Sequence, residues 1–431
     1  MEAVNVFVLG LEEDNFDTLL DVPHADQCRF HPLLDPEELL HGEIDIAALL
    51  DKAQRRLEEF DGTVDAIVGY WDFPVSAMVP ILTSRFGLRG PDLEAVVKCE
   101  HKYWSRLEQQ KVTDAYPRFA LLDLENAERP PEGLRYPMWL KPVKSVSSEL
   151  AFHVEDDAQF RDAVARIRDG IGRLGKPFDH VLRLLDLPPE IAEVGGEACL
   201  AEEAMSGARA AVEGYVRDGE IHVYGLLDSV PYPGRSSFLR HQYPSRLPAE
   251  MRRRLEDVST RVIAQVGLDD STFSIEYFCD PETGEVGLLE INPRHSQSHA
   301  RLFEEVDGMP NHHCMLGLAL GRDPSLPDRK GPYALAAKWY LRRFSDGVVR
   351  DRAGAEEIAR AEREIGGVSI HPLVDVGQRL SDTPQAEDSY SHELAHIAVA
   401  ASGEEELQDK YDRCVKALGF VFDDGSGPNG R

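Results

Sequence analysis

Two glutamates, an asparagine and an arginine fall within one short stretch, Phe273 to Arg294, which reads FSIEYFCDPETGEVGLLEINPR. Side chains along a strand alternate between faces. Phe273, Ile275 and Tyr277 then share one face, and Ser274 and Glu276 the other. In the second apolar run Leu288, Glu290 and Asn292 share a face, opposed by Leu289 and Ile291. Between the runs lies the turn Asp280-Pro281-Glu282-Thr283-Gly284-Glu285. A hairpin symmetric about Thr283 sets Glu276 directly opposite Glu290, with Cβ atoms about 5 Å apart. Carboxylates that close repel, and one is normally protonated unless a cation lies between them. With the Asn292 amide oxygen on the same face, the set is an all-oxygen site suited to magnesium, which keeps positions for water and nucleotide phosphates. Arg294 follows at once and is placed to hold negative charge developing on a phosphate or acyl oxygen. The competing reading is a solvated hairpin with acids on its wet face, and one residue of register slip would favour it.

The elements around this hairpin are of mixed type. Val4 to Leu9 is a compact apolar strand, and Ile44 to Phe60 has helical periodicity through Leu49, Leu50, Ala53 and Leu57. Val64 to Val68 reads as the second strand, ending in Tyr70-Trp71-Asp72, and Val75 to Phe86 as a helix. This order predicts a small open α/β domain over residues 1–93. Trp71 and Asp72 fall where open sheets place ligands, although Asp72 also suits a helix cap. Leu93 to Gln110 reads as one charged helix, and Met138 to Val143 as a strand carrying Lys141. Cys199 to Met205, Ala210 to Val216 and Glu220 to Val230 are strand-like, and Pro248 to Val266 is helical.

Of the 431 residues, 47 are Lys or Arg and 77 are Asp or Glu, giving a net charge of −30. That charge repels phosphate backbones and argues against nucleic acid. An enzyme for polyanionic substrates would need a locally basic site. No apolar run is long enough to span a membrane, and MEAVNVFVLG lacks a basic leader, so a cytoplasmic protein is expected. The cysteines, Cys28, Cys99, Cys199, Cys279, Cys314 and Cys414, show no disulfide or zinc spacing.

Glu276, Glu290, Asn292 and Arg294, in Glu-Ile-Asn-Pro-Arg context, resemble the end of an ATP-grasp domain. That resemblance implies an α/β (α+β) ATP-grasp fold. It divides the chain into an N-terminal open α/β domain (1–93), an ATP-grasp domain of two antiparallel-sheet subdomains (94–325, with a nucleotide lid at about 140–205) and a C-terminal α/β extension (326–431). In the family the two Glu and the Asn hold magnesium, with manganese as the other candidate ion, and the Arg serves the reactive oxygens. His101-Lys102 is similar to the family's first phosphate-binding lysine, there usually preceded by Asp. Lys141 stands where the family has its second. The family's glycine-rich lid is replaced here by Lys144-Ser145-Val146-Ser147-Ser148, with Ser147 and Ser148 as lid residues. Glu202, Ala204 and Met205 look like the adenine-binding hinge. Glu213 lies in a strand similar to the family's Val-Glu-Gly strand, and Arg209 stands about where many members carry a ribose-binding acid.

Substrate contacts are expected from Arg240, Glu213, Trp71, His295 and Arg301. His295 and His299 are also spaced for a shared metal if helical, or for structural hydrogen bonds. The resemblance implies ATP- and magnesium-dependent activation of a small carboxylate as an acyl phosphate, then attack by an amine, with Lys141 and Arg294 as catalytic groups. Homodimers are common in the family. Bicarbonate as the activated acid, a thiol as nucleophile, and a non-catalytic ATP-binding subunit are the alternatives.

Overall fold

The computed structural model describes residues 3–146, 148–235, 237–383, 391–425 and 427. Its strands begin with β1 (Val4–Leu9), β2 (Cys28–Leu34), β3 (Ala66–Val68), β4 (Phe119–Leu122), β5 (Met138–Pro142), β6 (Phe152–Val154) and β7 (Cys199–Glu203). They continue with β8 (Ala208–Arg217), β9 (Glu220–Pro231), β10 (Phe238–Tyr243), β11 (Ser271–Cys279) and β12 (Val286–Asn292). The last are β13 (Leu335–Arg343), β14 (Val349–Asp351), β15 (Val368–Pro372), β16 (His392–Ala401) and β17 (Val421–Phe422). The chain divides into two compact units. One comprises Met1–Gly225, Leu247–Gln297 and Asn311–Leu326, and the other Leu226–Arg246, Ser298–Pro310 and Pro327–Arg431. Among the described residues no helix is long and apolar enough to cross a membrane.

The first unit opens with a parallel sheet in the order β2-β1-β3. Helix Ile46–Glu58 covers it with Ile46, Leu49, Leu50, Ala53 and Leu57, and Asp45 caps that helix by accepting from the Ala48 N–H. The parallel strand β2 was not foreseen. Its apolar run is short and interrupted by His31 and Pro32, so periodicity gives little signal. A second sheet, antiparallel and ordered β4-β7-β5-β6, carries Lys141 on β5 and Glu202 on β7. Helix Asp157–Gly170 buries Phe160, Val164 and Ile167 against its Met138, Leu140 and Val154.

The third sheet of this unit holds β8, β11 and β12, all antiparallel. Helix Ala249–Val266 packs beneath, with Ser259 Oγ 2.8 Å from the Tyr277 hydroxyl. The β11–β12 hairpin pairs Cys279 with Val286 and Tyr277 with Leu288, then shifts by one residue so that Glu276 pairs with Glu290. Leu289 is the extra residue of that bulge. Leu288 therefore shares the buried face with Tyr277 and Ile275, correcting the expectation that it would lie beside Glu290. Without the bulge Glu290 would slip out of register with Glu276.

The helix expected over Leu93 to Gln110 is two helices, Leu93–Glu100 and Lys102–Gln110, broken at the buried residue His101. Helix Asp157–Gly170 is followed at once by another over Gly172–Leu182.

In the second unit β9 leads into β10, β13, β16 and β15, antiparallel throughout. Helix Glu404–Leu418 covers one face, where Tyr411 stacks on Trp339 with ring centroids 4.5 Å apart.

Gly214 on β8 shows how closely the first unit's strands are packed. A Cβ there would come within 2.3 Å of the Phe273 ring and 2.4 Å of the His222 carbonyl oxygen. Gly214→Ala is expected to destabilise the fold by about 1–3 kcal/mol, measured as a lower urea midpoint with unchanged slope. An unaltered midpoint would contradict this packing.

Candidate active site

Strand geometry places the acids. Glu276 and Glu290 lie opposite each other on β11 and β12, and the next same-face pair is Ser274 and Asn292. On β8, Ala211 pairs with Glu276, Glu213 with Ser274, and Arg209 with Phe278. One sheet face therefore carries Arg209, Glu276, Glu290, Asn292 and Glu213. The side chains of Glu276 and Glu290 are each about a third exposed, at 34% and 32%, so an ion could reach them from solvent.

Cations offset these acids. Lys102 Nζ donates to Glu290 Oε1 at 2.7 Å and to the Ser145 carbonyl at 2.9 Å. Arg209 reaches Glu276 Oε2 at 3.5 Å. The two carboxyls split as a like-charged pair does. Burial raises the Glu276 pKa against the pull of Arg209, with repulsion from Glu290 adding to it. Burial acts on Glu290 too, but Lys102, with Lys141 and Lys144, outweighs it and holds that carboxyl low. Among the described residues no three His, Cys, Asp or Glu side chains converge, so the donor set is two carboxylates and one amide oxygen. That set fits magnesium, which takes few protein ligands and fills the rest with water and phosphate.

Lys141 is held separately. Its ammonium lies 2.5 Å from Glu202 Oε2, while Arg106 Nε takes Glu202 Oε1 at 2.7 Å. Burial alone would raise the Glu202 carboxyl, but Arg106 and Lys141 pull it down to about 2. Burial likewise lowers the Lys141 ammonium, with Glu202 opposing. Arg106 also donates to the carbonyl of Leu289, the bulged residue, at 2.7 Å. One guanidinium thus ties β7, whose Glu202 pairs with Lys141 of β5, to the hairpin that aligns the acids. Glu202 is 2% exposed and its oxygens are committed to these two cations, which displaces the adenine contact expected of it.

Arg294 donates from Nε to Asp72 Oδ1 at 2.8 Å and from its NH1 to the His295 carbonyl at 3.3 Å. Its NH2 group also lies 2.6 Å from Asp72 Oδ1. Asp72 sits beyond the carboxyl end of β3. Trp71, expected at the substrate, donates its indole N–H to the Gly10 carbonyl at 2.7 Å. Lys144 is buried between the Phe73 and Phe178 rings, 5.1 and 5.3 Å from their centroids, and 3.4 Å from Glu100.

The remaining candidate residues have these surroundings. Glu213 is fully buried and accepts from Tyr224, Asn311 and the Ser296 N–H, so it braces the segment after Arg294 instead of facing substrate. His295 is also fully buried, with its ring on His312 and Thr272. The Ala204 N–H is used by the Pro137 carbonyl. Met205 lies over Gly287, where a Cβ would meet its sulfur at 2.1 Å. Ser147 lies outside the described residues. Ser148 adopts φ +59° and Leu150 φ +55°, so the glycine-free loop takes left-handed backbone without glycine. Arg240 and Arg301 belong to the second unit. Alternation turns Arg240 towards Glu404, at 3.7 Å, and the Trp339 ring, away from the face of its neighbour His241. Arg301 is half-buried, 4.0 Å from Glu305.

The sequence reading missed the roles of Arg106, Asp72 and His101. Arg106 lies one turn after Lys102 on the same helix, the only local signal available. His101 directly precedes Lys102. Its Nδ1 accepts the Trp104 N–H at 3.2 Å, capping the helix that begins with Lys102, and its Nε2–H donates to the Gly195 carbonyl at 3.0 Å. A cap needs a lone pair, so the ring must be neutral. Burial ensures this by lowering its pKa to about 4.

The unfolded chain takes up the proton near pH 6.5 and the folded chain only near 4, so this contribution to stability is complete above about pH 6.5. It is lost as pH falls through about 4. His101→Asn keeps an acceptor and cannot titrate. Its urea midpoint is expected to fall less than that of the unsubstituted protein between pH 6.5 and 4. Parallel declines would contradict the capping role.

Residues 134–300 match the family model described as the ATP-grasp domain. The fold is similar to that of L-amino acid ligase from Bacillus licheniformis, with a TM-score of 0.71 and 15% identity over 98% of this chain and 100% of that one. It is also similar to biotin carboxylase from Campylobacter jejuni, with a TM-score of 0.64 and 15% identity over 98% and 92% of the two chains. A 68-residue stretch is 37% identical to the carbamoyl phosphate synthase large chain of Xylella fastidiosa. That stretch is 16% of this chain and spans only 6% of the length of that relative. The chain carries an ATP-grasp domain over residues 134–300 and has the fold of the ATP-grasp ligases.

Proposed function

We propose that this chain is an ATP- and magnesium-dependent ligase that activates a small carboxylate as an acyl phosphate and couples it to an amine, releasing ADP and phosphate. The observation that carries the reading is the opposed Glu276–Glu290 pair with Asn292 beside it, facing Lys102 and flanked by Arg294. Support comes from the fold of the L-amino acid ligase and from relatives whose complexes hold ATP, or magnesium ADP with bicarbonate.

Glu276, Glu290 and Asn292 would hold the ion, which neutralises phosphate charge and acts as a Lewis acid when bound. Lys102 and Lys141 supply point charges for nucleotide phosphates. Each is already held by a carboxylate, so each is pre-aimed before nucleotide arrives. A substrate carboxylate oxygen attacks the γ-phosphorus and ADP leaves. The amine nitrogen then attacks the acyl carbon, phosphate leaves, and the amine gives up a proton. Arg294, fixed by Asp72, stabilises the oxyanion formed in that second step. Met205 and Phe278 offer apolar surface for the base. Ser148 lies in the loop after Lys141, where the phosphates are expected. These cations reconcile a net charge of −30 with a polyanionic substrate.

The test is ADP release from ATP and magnesium with pooled amino acids and small acids. Release should require both magnesium and an acid, should disappear in Glu290→Ala, and should fall about 100- to 1000-fold in Arg294→Ala. Release driven by bicarbonate alone would move the reading to carboxylation. Failure to bind ATP in the presence of magnesium would overturn it.

A further inference from the structure

Arg294 lies in an irregular segment between β12 and the turn Gln297–His299. Asp72 fixes its guanidinium, but no ladder holds the backbone next to it. A buried chain of hydrogen bonds does. It links Thr272 on β11, His295, His312 at the start of helix His312–Ala319, and Thr18 on helix Glu13–Leu20.

One end sets its direction. The Thr18 hydroxyl lies 3.1 Å from the Asn15 carbonyl, which can only accept; with its single proton assigned there, Thr18 is an acceptor towards His312. His312 Nε2–H therefore donates to Thr18 Oγ1 at 3.1 Å. Burial keeps His312 neutral, lowering its pKa to about 3, so Nδ1 carries the lone pair. At 2.9 Å that lone pair accepts His295 Nε2–H. His295 Nδ1 then accepts the Thr272 hydroxyl proton at 3.2 Å, and the same Thr272 oxygen accepts the His295 main-chain N–H at 2.9 Å. One boundary condition thus fixes both tautomers, and every proton in the chain has an acceptor. The Tyr70 ring packs on both imidazoles, with centroids 5.3 Å from His312 and 6.4 Å from His295, two residues before Asp72. The same cluster therefore supports both members of the Asp72–Arg294 pair.

We propose that Thr18, His312 and Thr272 are positioning residues for Arg294, acting through a one-way hydrogen-bond chain that fixes the His295 backbone. The inference rests on the proposed role of Arg294 in charge stabilisation. Histidines that merely fill the core would need no particular tautomer and would tolerate loss of the terminal acceptor.

Two measurements test it. Two-bond proton–nitrogen NMR correlations on the full chain should show both rings as neutral Nε2–H tautomers. Thr18→Val keeps the shape but removes the acceptor. It should lower kcat for acid-stimulated ADP release about 10- to 100-fold with KM for ATP little changed, and Thr18→Ser should restore it. An Nδ1–H or doubly protonated His312 in the unsubstituted protein overturns the proposal whatever the activity. An unchanged kcat in Thr18→Val overturns it as well. If the unsubstituted protein releases no ADP, it is the ligase reading that fails, and the tautomer pattern alone decides whether the chain exists.

Discussion

Two glutamates face each other across a pair of strands, and neither can be left uncompensated in a partly desolvated site. Much of the surrounding structure meets that constraint. Lys102 and Arg209 balance the acids from either side. Arg106 connects the hairpin to Glu202, the partner of Lys141. Asp72 neutralises Arg294, which would otherwise stand as a further cation near the pair. The site is a set of local charge balances, in which each cation is held by a neighbouring acid.

That arrangement bears on the acidity of the protein as a whole. A net charge of −30 disfavours nucleic acid and large polyanions. At short range the nearest groups decide. Lys102, Lys141, Lys144, Arg106 and Arg294 are each largely buried and each paired with an acid, Lys141 and Arg106 sharing Glu202, so the interior is rich in cations while its net charge stays small. Such a site can accept phosphate without being flooded by it.

The hairpin acids were legible because alternation and a Glu-x13-Glu spacing are local features. Their pairing came out as expected by an unexpected route. The turn closes one residue out of register, and the bulge at Leu289 restores it. Nothing in the residue types announces a bulge, since its use depends on Arg106 reaching the Leu289 carbonyl from another element. His101 was legible only as a departure from the family's Asp. Its function needed the burial and the Gly195 partner that three-dimensional packing supplies. Glu202, Glu213, His295 and Arg240 were named from resemblance or spacing, and each turned out to be engaged in the protein's own hydrogen bonds or ion pairs. Sequence identifies a polar side chain, but which groups are left for a ligand is decided by partners distant along the chain.

The most direct measurement follows oxygen. With an acid that stimulates ADP release, labelled with oxygen-18 in its carboxylate, an acyl-phosphate pathway transfers one label to inorganic phosphate, visible as a split phosphorus resonance. Labelled phosphate appearing together with amide product is the expected result. Unlabelled phosphate formed alongside that product would mean the carboxylate never attacked the γ-phosphorus, and would contradict the role given to the Glu276–Glu290 site.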